Sequence, residues 1–159
     1  MERLLSSLVH LWHIVEQSMA VTSQHIVLDK AEFQYDSGVL LITFNTVESD
    51  KVVSIPTLER YADTIVTLCN NKRTPFLIDV SEAWGSYSVA AARYFAKSER
   101  LFNVRLADAF VAKETRSVLS IRSFKRIYDP FTPYQICNTY DEARQFCDRY
   151  VADYSRTFG

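Results

Sequence analysis

Four polar side chains lie between the end of a short apolar run and the start of an alanine-rich segment: Asp79, Ser81, Ser86 and Ser88. The run, PFLIDV, is typical of a central strand that is covered on both faces. A serine at the start of the next helix can cap it, because the hydroxyl accepts a hydrogen bond from a free backbone N–H. The helix dipole and the same amides would also favour a phosphate, so the turn is a candidate phospho-acceptor or anion-binding site. Asp79 lies at the carboxyl end of the strand, where ligand crevices of α/β sheets are found. Its alternative role is structural: it would accept hydrogen bonds from the following turn.

Catalytic chemistry has little support in the sequence. Ser88 has no histidine nearby, and His25 is the only histidine outside the first 22 residues. His10 and His13 have helical spacing, but no third metal ligand is spaced to join them. The motifs of nucleophile elbows, P-loops, dinucleotide sites and zinc proteases do not occur. An enzyme that uses Asp79 or Ser88 is therefore only the third alternative, and we predict no cofactor and no metal.

The stretch from residue 93 to residue 126 is strongly basic. It contains nine lysines and arginines and three acids, a net charge of +6, although the whole chain carries −1. Arg116, Arg122, Lys125 and Arg126 fall largely on one side of a predicted helix. Such a face is usually solvated. As a functional surface it would meet an acidic partner, an anionic lipid headgroup, a phosphate ligand or an acidic patch on another copy. Nucleic acid is not predicted, because the chain has no nucleic-acid motif and is slightly negative overall.

The composition fits an ordinary globular protein of the cytoplasm. The 159 residues are 48% hydrophobic and 23% charged, with three glycines and four prolines. The cysteines are odd in number, lie in apolar settings and form no CxxC pair, so we expect reduced, buried thiols: Cys69, Cys137 and Cys147. The N-terminal apolar run is too short and too polar for a transmembrane segment or a signal peptide.

Two regions are predicted along the chain: an amphipathic helix with a linker over residues 1–22, and an α/β domain over residues 23–159. In the first region Leu4, Leu8 and Leu11 recur at helical spacing. We expect this helix to pack on its own domain or on a second copy.

Alternating strands and helices indicate a mostly parallel or mixed sheet of four to five strands with crossover helices. Asp36-Ser37-Gly38 supplies the turn of a hairpin, and Thr139 and Glu142 have the spacing of a capping box. The predicted helices cover 54–71, 88–102, 113–128 and 139–154, and the predicted central strands cover 75–80, 105–112 and 134–138.

Three segments carry a resemblance to a known family: SVAAARYFA (88–96), ADAFVAKETRSVLSIRSF (107–124) and FTPYQICNTYDEARQFC (131–147). Together with the element order, they resemble the STAS-like fold of bacterial anti-sigma-factor antagonists. The similarity is closer to small bacterial STAS-like domains of unknown function and covers roughly residues 30–150. In the antagonists, a strand ending in Asp-x-Ser precedes a loop with a phosphorylatable serine. Asp79-Val80-Ser81 matches the first part, and the resemblance implies Ser88 as the phosphorylated position, although Tyr87 and Ala90 depart from the motif.

The residues and the resemblance together predict a non-catalytic interaction or regulatory domain that self-associates as a dimer. The predicted contact surface joins the turn to the basic helix: Trp84, Tyr87, Lys113, Arg116, Arg122, Lys125 and Arg126. The alternative is a carrier of an anionic lipid or another small apolar-anionic ligand, because some relatives of this architecture are similar to lipid-transfer domains. The sequence does not name the protein partner.

Overall fold

A six-stranded sheet forms the centre of the described structure. The computed structural model describes residues 24–28, 31–44, 54–82 and 89–158, and the predicted N-terminal helix lies outside them. The strands of this part are β1 (Gln24–Leu28), β2 (Ala31–Asp36), β3 (Val39–Phe44), β4 (Thr74–Asp79), β5 (Arg105–Val111) and β6 (Tyr134–Cys137). The helices of this part are α1 (Ile55–Cys69), α2 (Val89–Lys97), α3 (Glu99–Val104), α4 (Thr115–Tyr128) and α5 (Tyr140–Phe158).

Strand order in the sheet follows chain order from β1 to β6. β1, β2 and β3 pair antiparallel, whereas β3, β4, β5 and β6 pair parallel. Because right-handed crossovers connect neighbouring parallel strands, α1 to α4 share one face. The opposite face receives α5, which packs on β4, β5 and β6. The predicted fold class is confirmed as a mixed sheet with crossover helices, although the described sheet has six strands where four to five were expected.

The face under α1 to α4 holds the larger part of the core. Phe33, Ile42, Ile78 and Phe110 are register partners across β2, β3, β4 and β5, so their side chains form one row. Tyr61 of α1 packs on this row, with its ring centroid 5.4 Å from that of Phe33. The row follows from the period-two alternation of apolar residues along each strand.

The face under α5 is built from smaller side chains. Ala107 and Ala109 of β5 are fully buried against Ala143 and Cys147 of α5. Short side chains on both elements let the helix approach the sheet closely. This close approach explains why β5 has alanine at these positions, where a central strand usually has larger apolar residues.

Two predicted local features, the hairpin turn and the cap of the last helix, are confirmed. Gly38 has φ +84 in the β2–β3 turn, where a residue with a Cβ would be strained. The Thr139 hydroxyl accepts from the Glu142 N–H at 3.2 Å, which confirms the cap of α5. The predicted helix 88–102 is instead two helices, because the Ser98 hydroxyl accepts from the Leu101 N–H at 3.4 Å and starts α3.

Candidate functional site

Helix α4 separates its residues into an inner and an outer side. Ile121 and Lys125 are buried, and Val118 and Phe124 are half-buried. Lys125 thus lies inside the protein, so its predicted place in the contact surface is wrong. Its position one turn after Ile121 puts it on the inner side of the helix, where buried carboxylates meet its ammonium group.

A buried ionic cluster joins β5, α4 and the residue that follows α4. The Lys125 Nζ donates to Asp108 Oδ2 at 2.9 Å and to Asp129 Oδ2 at 2.7 Å. Arg105 binds both carboxyl oxygens of Asp108, with its Nε 2.8 Å from Oδ1, and its Nη2 also donates to Asp129 Oδ2 at 2.7 Å. The Thr132 N–H donates to the other oxygen of Asp129 at 3.2 Å. Two cations and two anions share these bonds, so the cluster is neutral as a whole.

The pKa values of two members of the cluster, Arg105 and Asp129, are shifted by their neighbours. Burial alone would lower the pKa of the Arg105 guanidinium, but the charge and hydrogen bonds of Asp108 and the charge of Asp129 raise it above its ordinary value. Burial alone would raise the pKa of Asp129, but the charge of Arg105 and hydrogen bonds from Lys125 and Thr132 lower it. Since Asp129 has a depressed pKa when folded, its contribution to stability is full above its ordinary pKa and is lost as the pH falls through the folded value.

The outer side of α4 presents arginines beside large apolar side chains. Arg116, Arg122 and Arg126 are exposed, and so is Lys113 just before the helix. Leu119 is 57% exposed and Ile127 is 60% exposed, and Phe131 in the following loop is 88% exposed: these are the apolar members of the face. At 100° per residue, positions 116, 119, 122, 126 and 127 fall within an arc of about 140°. We call this set, with Lys113 and Phe131, the α4 surface.

In the described structure, only some lysines and arginines of the basic stretch 93–126 bind other side chains of the protein. Arg105 and Lys125 belong to the buried cluster, Arg100 pairs with Asp63, and the Arg93 Nε donates to the Tyr128 hydroxyl at 3.2 Å. The four cations of the α4 surface form no ion pair within the described residues. Within the basic stretch, the cations without a carboxylate partner among the described residues therefore lie mostly on the α4 surface.

The turn after β4 begins with Asp79, whose carboxylate accepts hydrogen bonds from Ser81. Asp79 Oδ1 accepts from the Ser81 N–H at 2.9 Å and from the Ser81 hydroxyl at 2.6 Å. One oxygen of Asp79 is thus used in the local role of accepting bonds from the turn. The other predicted members of this turn, Trp84, Ser86, Tyr87 and Ser88, lie outside the described residues. The predicted contact surface that joins this turn to α4 therefore stays a prediction.

A domain of unknown function, DUF7793, matches residues 32–151 of the chain. The chain belongs to the DUF7793 family. The matched residues include β2 to β6 and α4, so the α4 surface and the start of the Asp79 turn are parts of the DUF7793 domain itself. No curated protein matches the chain in sequence.

Among solved structures, the DUF7793 chain is similar to an uncharacterised protein of the DUF3478 family from Shewanella loihica PV-4, whose fold is SpoIIAA-like. The TM-score is 0.53 at 11% sequence identity, and the similarity covers 79% of this chain and 97% of that chain. The predicted STAS-like fold is confirmed. At this identity the likeness concerns the fold and carries no residue roles.

An apolar cavity of about 80 Å³ lies beneath α4 in the DUF7793 domain. Ile121 and Phe124 line it from the helix, Phe33 and Phe110 line it from the sheet, and Arg105 borders it. The guanidinium of Arg105 is already bonded to Asp108 and Asp129, so the cavity has an apolar character. Its volume is about half that of an engineered cavity of about 150 Å³ that binds benzene in another protein.

The thiols of the DUF7793 domain are buried and free, as predicted. Burial raises the pKa of Cys69 to about 11 and that of Cys147 to about 12. Both thiols are therefore protonated at neutral pH and are weak nucleophiles.

Within the described residues, no three His, Cys, Asp or Glu side chains are placed to hold a metal ion. No helix in that part of the chain is long and apolar enough to cross a membrane.

Proposed function

We propose that the chain is a non-catalytic STAS-like interaction domain whose α4 surface binds an acidic protein surface, in the first place on a second copy. The observation that carries this proposal is the exposure of Leu119, Ile127 and Phe131 beside arginines without carboxylate partners in the described structure. Single exposed apolar residues are common on monomers. Several on one helix and its following loop, interleaved with arginine, are typical of a contact surface.

Arginine is well suited to such a surface. Its guanidinium can bind a carboxylate through two hydrogen bonds, and its methylene groups pack on apolar neighbours. Arg122 and Arg126 are one helical turn apart, so both can meet the same acidic patch. Leu119 and Ile127 flank them along the helix and would exclude water from these pairs.

The charge distribution supports a second copy as the partner. The stretch 93–126 has a net charge of +6, so the rest of the chain has −7 when the total is −1. The basic helix of one copy could therefore meet carboxylates of the other copy, because acids outnumber bases outside this stretch. Complementary charges of this kind favour association and make it sensitive to ionic strength.

Reversing two charges of the α4 surface tests the proposal. We expect Arg122→Glu/Arg126→Glu to raise the dimer dissociation constant by about 100-fold or more, because two attractive contacts become repulsive. Sedimentation velocity of the full chain over a range of concentrations measures this constant. The matched control is Arg60→Glu/Lys97→Glu, which makes the same change of net charge at exposed positions on α1 and α2.

The control variant should remain as dimeric as the wild type, and both variants should keep the far-UV circular dichroism spectrum of the wild type. A wild-type chain that is monomeric at all concentrations would contradict self-association. Equal weakening in both variants would show a general charge effect and would remove the α4 surface from the proposal.

The cavity beneath α4 favours a second candidate, the carriage of a small apolar ligand. Its lining is almost wholly aromatic and aliphatic. A lipid chain would require the cavity to expand well beyond 80 Å³, so a compact ligand fits the observed space better. We expect a native mass spectrum of protein purified gently from its own host to show a small organic adduct that organic solvent removes. A bare protein mass would contradict carriage.

A further inference from the structure

A second concave region lies at the opposite end of the sheet from the Asp79 turn, where the parallel strands begin. It has a volume of about 410 Å³ and lies between the α1–β4 turn, the β2–β3 hairpin and the last turns of α5. We call it the basal cleft. Sites for small molecules have volumes of roughly 300–1,000 Å³, so the basal cleft has the size of a ligand site.

The basal cleft is positively charged. Lys72 and Arg73 line it, and of the described residues around it none is acidic. Arg73 donates from Nη2 to the backbone oxygen of Arg105 at 3.1 Å, which holds its guanidinium near the start of β5. Within the described structure neither cation forms an ion pair with a carboxylate.

The acids close to the basal cleft in the chain have partners of their own. Asp36 of the hairpin binds Arg144 at 3.1 Å, and Asp153 of α5 pairs with Arg156. The positive charge of Lys72 and Arg73 is therefore not cancelled by these neighbours.

The turn that carries both cations is sharply defined. Asn70 and Asn71 have φ of 48 and 58, a left-handed conformation that asparagine tolerates better than most residues. The Lys72 N–H donates to the Cys69 carbonyl at 2.9 Å and closes the turn. The backbone of this turn thus brings Lys72 and Arg73 into the lining of the cleft.

Aromatic rings form the wall contributed by α5. The ring centroids of Tyr154 and Phe158 are 4.7 Å apart, and Phe158 is 72% exposed. Tyr35 lines the cleft from the hairpin. A flat ring could lie against these side chains while its anionic group meets Lys72 and Arg73.

We propose that the basal cleft binds a small organic anion that carries a planar ring. The anion would be a phosphate, held by Lys72 and Arg73, and the ring would pack on Tyr154 and Phe158. A nucleotide and a simple aryl phosphate both present this chemistry. The inference does not depend on the α4 surface, which lies elsewhere on the molecule.

Isothermal titration calorimetry of the full chain tests the basal cleft with four probes: adenosine 5′-monophosphate, phenyl phosphate, adenosine and inorganic phosphate. We expect at least one of the first two to bind with a dissociation constant between about 10 μM and 1 mM. Adenosine and inorganic phosphate should bind at least about tenfold more weakly, because each lacks one half of the ligand. Tighter binding of the nucleotide would identify a nucleotide site, and equal binding would identify a site for ring-bearing phosphates in general.

Two variants locate the binding. Lys72→Glu should weaken binding about tenfold or more, since an attractive charge-assisted bond becomes a repulsion. Lys97→Glu makes the same charge change at an exposed position on α2 that does not line the cleft, and it should leave binding unchanged. No binding of either ring-bearing anion at millimolar concentration would overturn the proposal. So would equal losses in the two variants, or inorganic phosphate binding as tightly as the ring-bearing anions.

Discussion

Replacing Asp108 by asparagine is expected to lower the free energy of unfolding by about 3–5 kcal/mol. Asp108 is fully buried and accepts hydrogen bonds from Arg105 and Lys125. The substitution removes one negative charge and leaves two buried cations with Asp129 as their shared counter-ion. Buried charges that lose their partner keep the cost of desolvation without the compensating attraction. Urea denaturation at neutral pH measures the change.

Asp153→Asn provides the matched control for this prediction. It removes a carboxylate from a pair with Arg156 in which both side chains are largely exposed. Exposed ion pairs contribute little to stability, so this variant should unfold close to the wild type. If Asp108→Asn were no less stable than Asp153→Asn, the cluster would not be desolvated in solution as it is in the structure.

Where local chemistry is strong, the sequence predicts the fold closely. Asp36, Ser37 and Gly38 combine turn residues with a position that needs a positive φ, and the hairpin forms there. Thr139 caps α5 because a hydroxyl at this position satisfies a free backbone N–H. These features depend on neighbours within a few residues, which is the range that sequence patterns describe.

The sixth strand shows where patterns fail. β1 lies at the edge of the sheet, and most of its residues are exposed or half-buried. Ile26 and Leu28 pack partly against the core, but the exposed Val27 between them is apolar too, so the sequence lacks the regular alternation that marks a strand. β1 forms because it pairs antiparallel with the edge of β2. This pairing depends on the assembled sheet and cannot be predicted from the residues of β1 alone.

The ionic cluster could have been found in part from the sequence. Asp108 interrupts the apolar run of β5, and a carboxylate in a strand covered on both faces needs a partner. Lys125 follows Ile121 by four residues, so helical spacing puts both on the inner side of α4. The prediction that groups Lys125 with Arg122 and Arg126 on one outer side of the helix is wrong for Lys125, which is buried. Its pairing with Asp108 required the packing of α4 on β5, which no local pattern gives.

The second large effect is expected at the centre of the apolar core. Phe33→Ala should lower the free energy of unfolding by about 3–5 kcal/mol, because it removes buried surface and leaves a void. Phe33 has no exposed surface, and its ring packs on Tyr61. Denaturation in guanidinium chloride measures the loss. Val27→Ala on the neighbouring strand removes a side chain that is largely exposed, and it should change stability by no more than about 0.5 kcal/mol.

The same variant tests the cavity beneath α4, because Phe33 is part of its lining. Removing the ring joins the new void to the existing 80 Å³, which brings the total toward the size that holds benzene in an engineered cavity of about 150 Å³. Benzene should therefore raise the melting temperature of Phe33→Ala and leave that of the wild type almost unchanged, since a ligand that binds only the folded state stabilises it. If benzene stabilised neither protein while Phe33→Ala lost the expected stability, the core would have collapsed around the missing ring. The cavity would then be too pliable to hold a ligand, and the carrier function would lose its structural support while the α4 surface would keep its own.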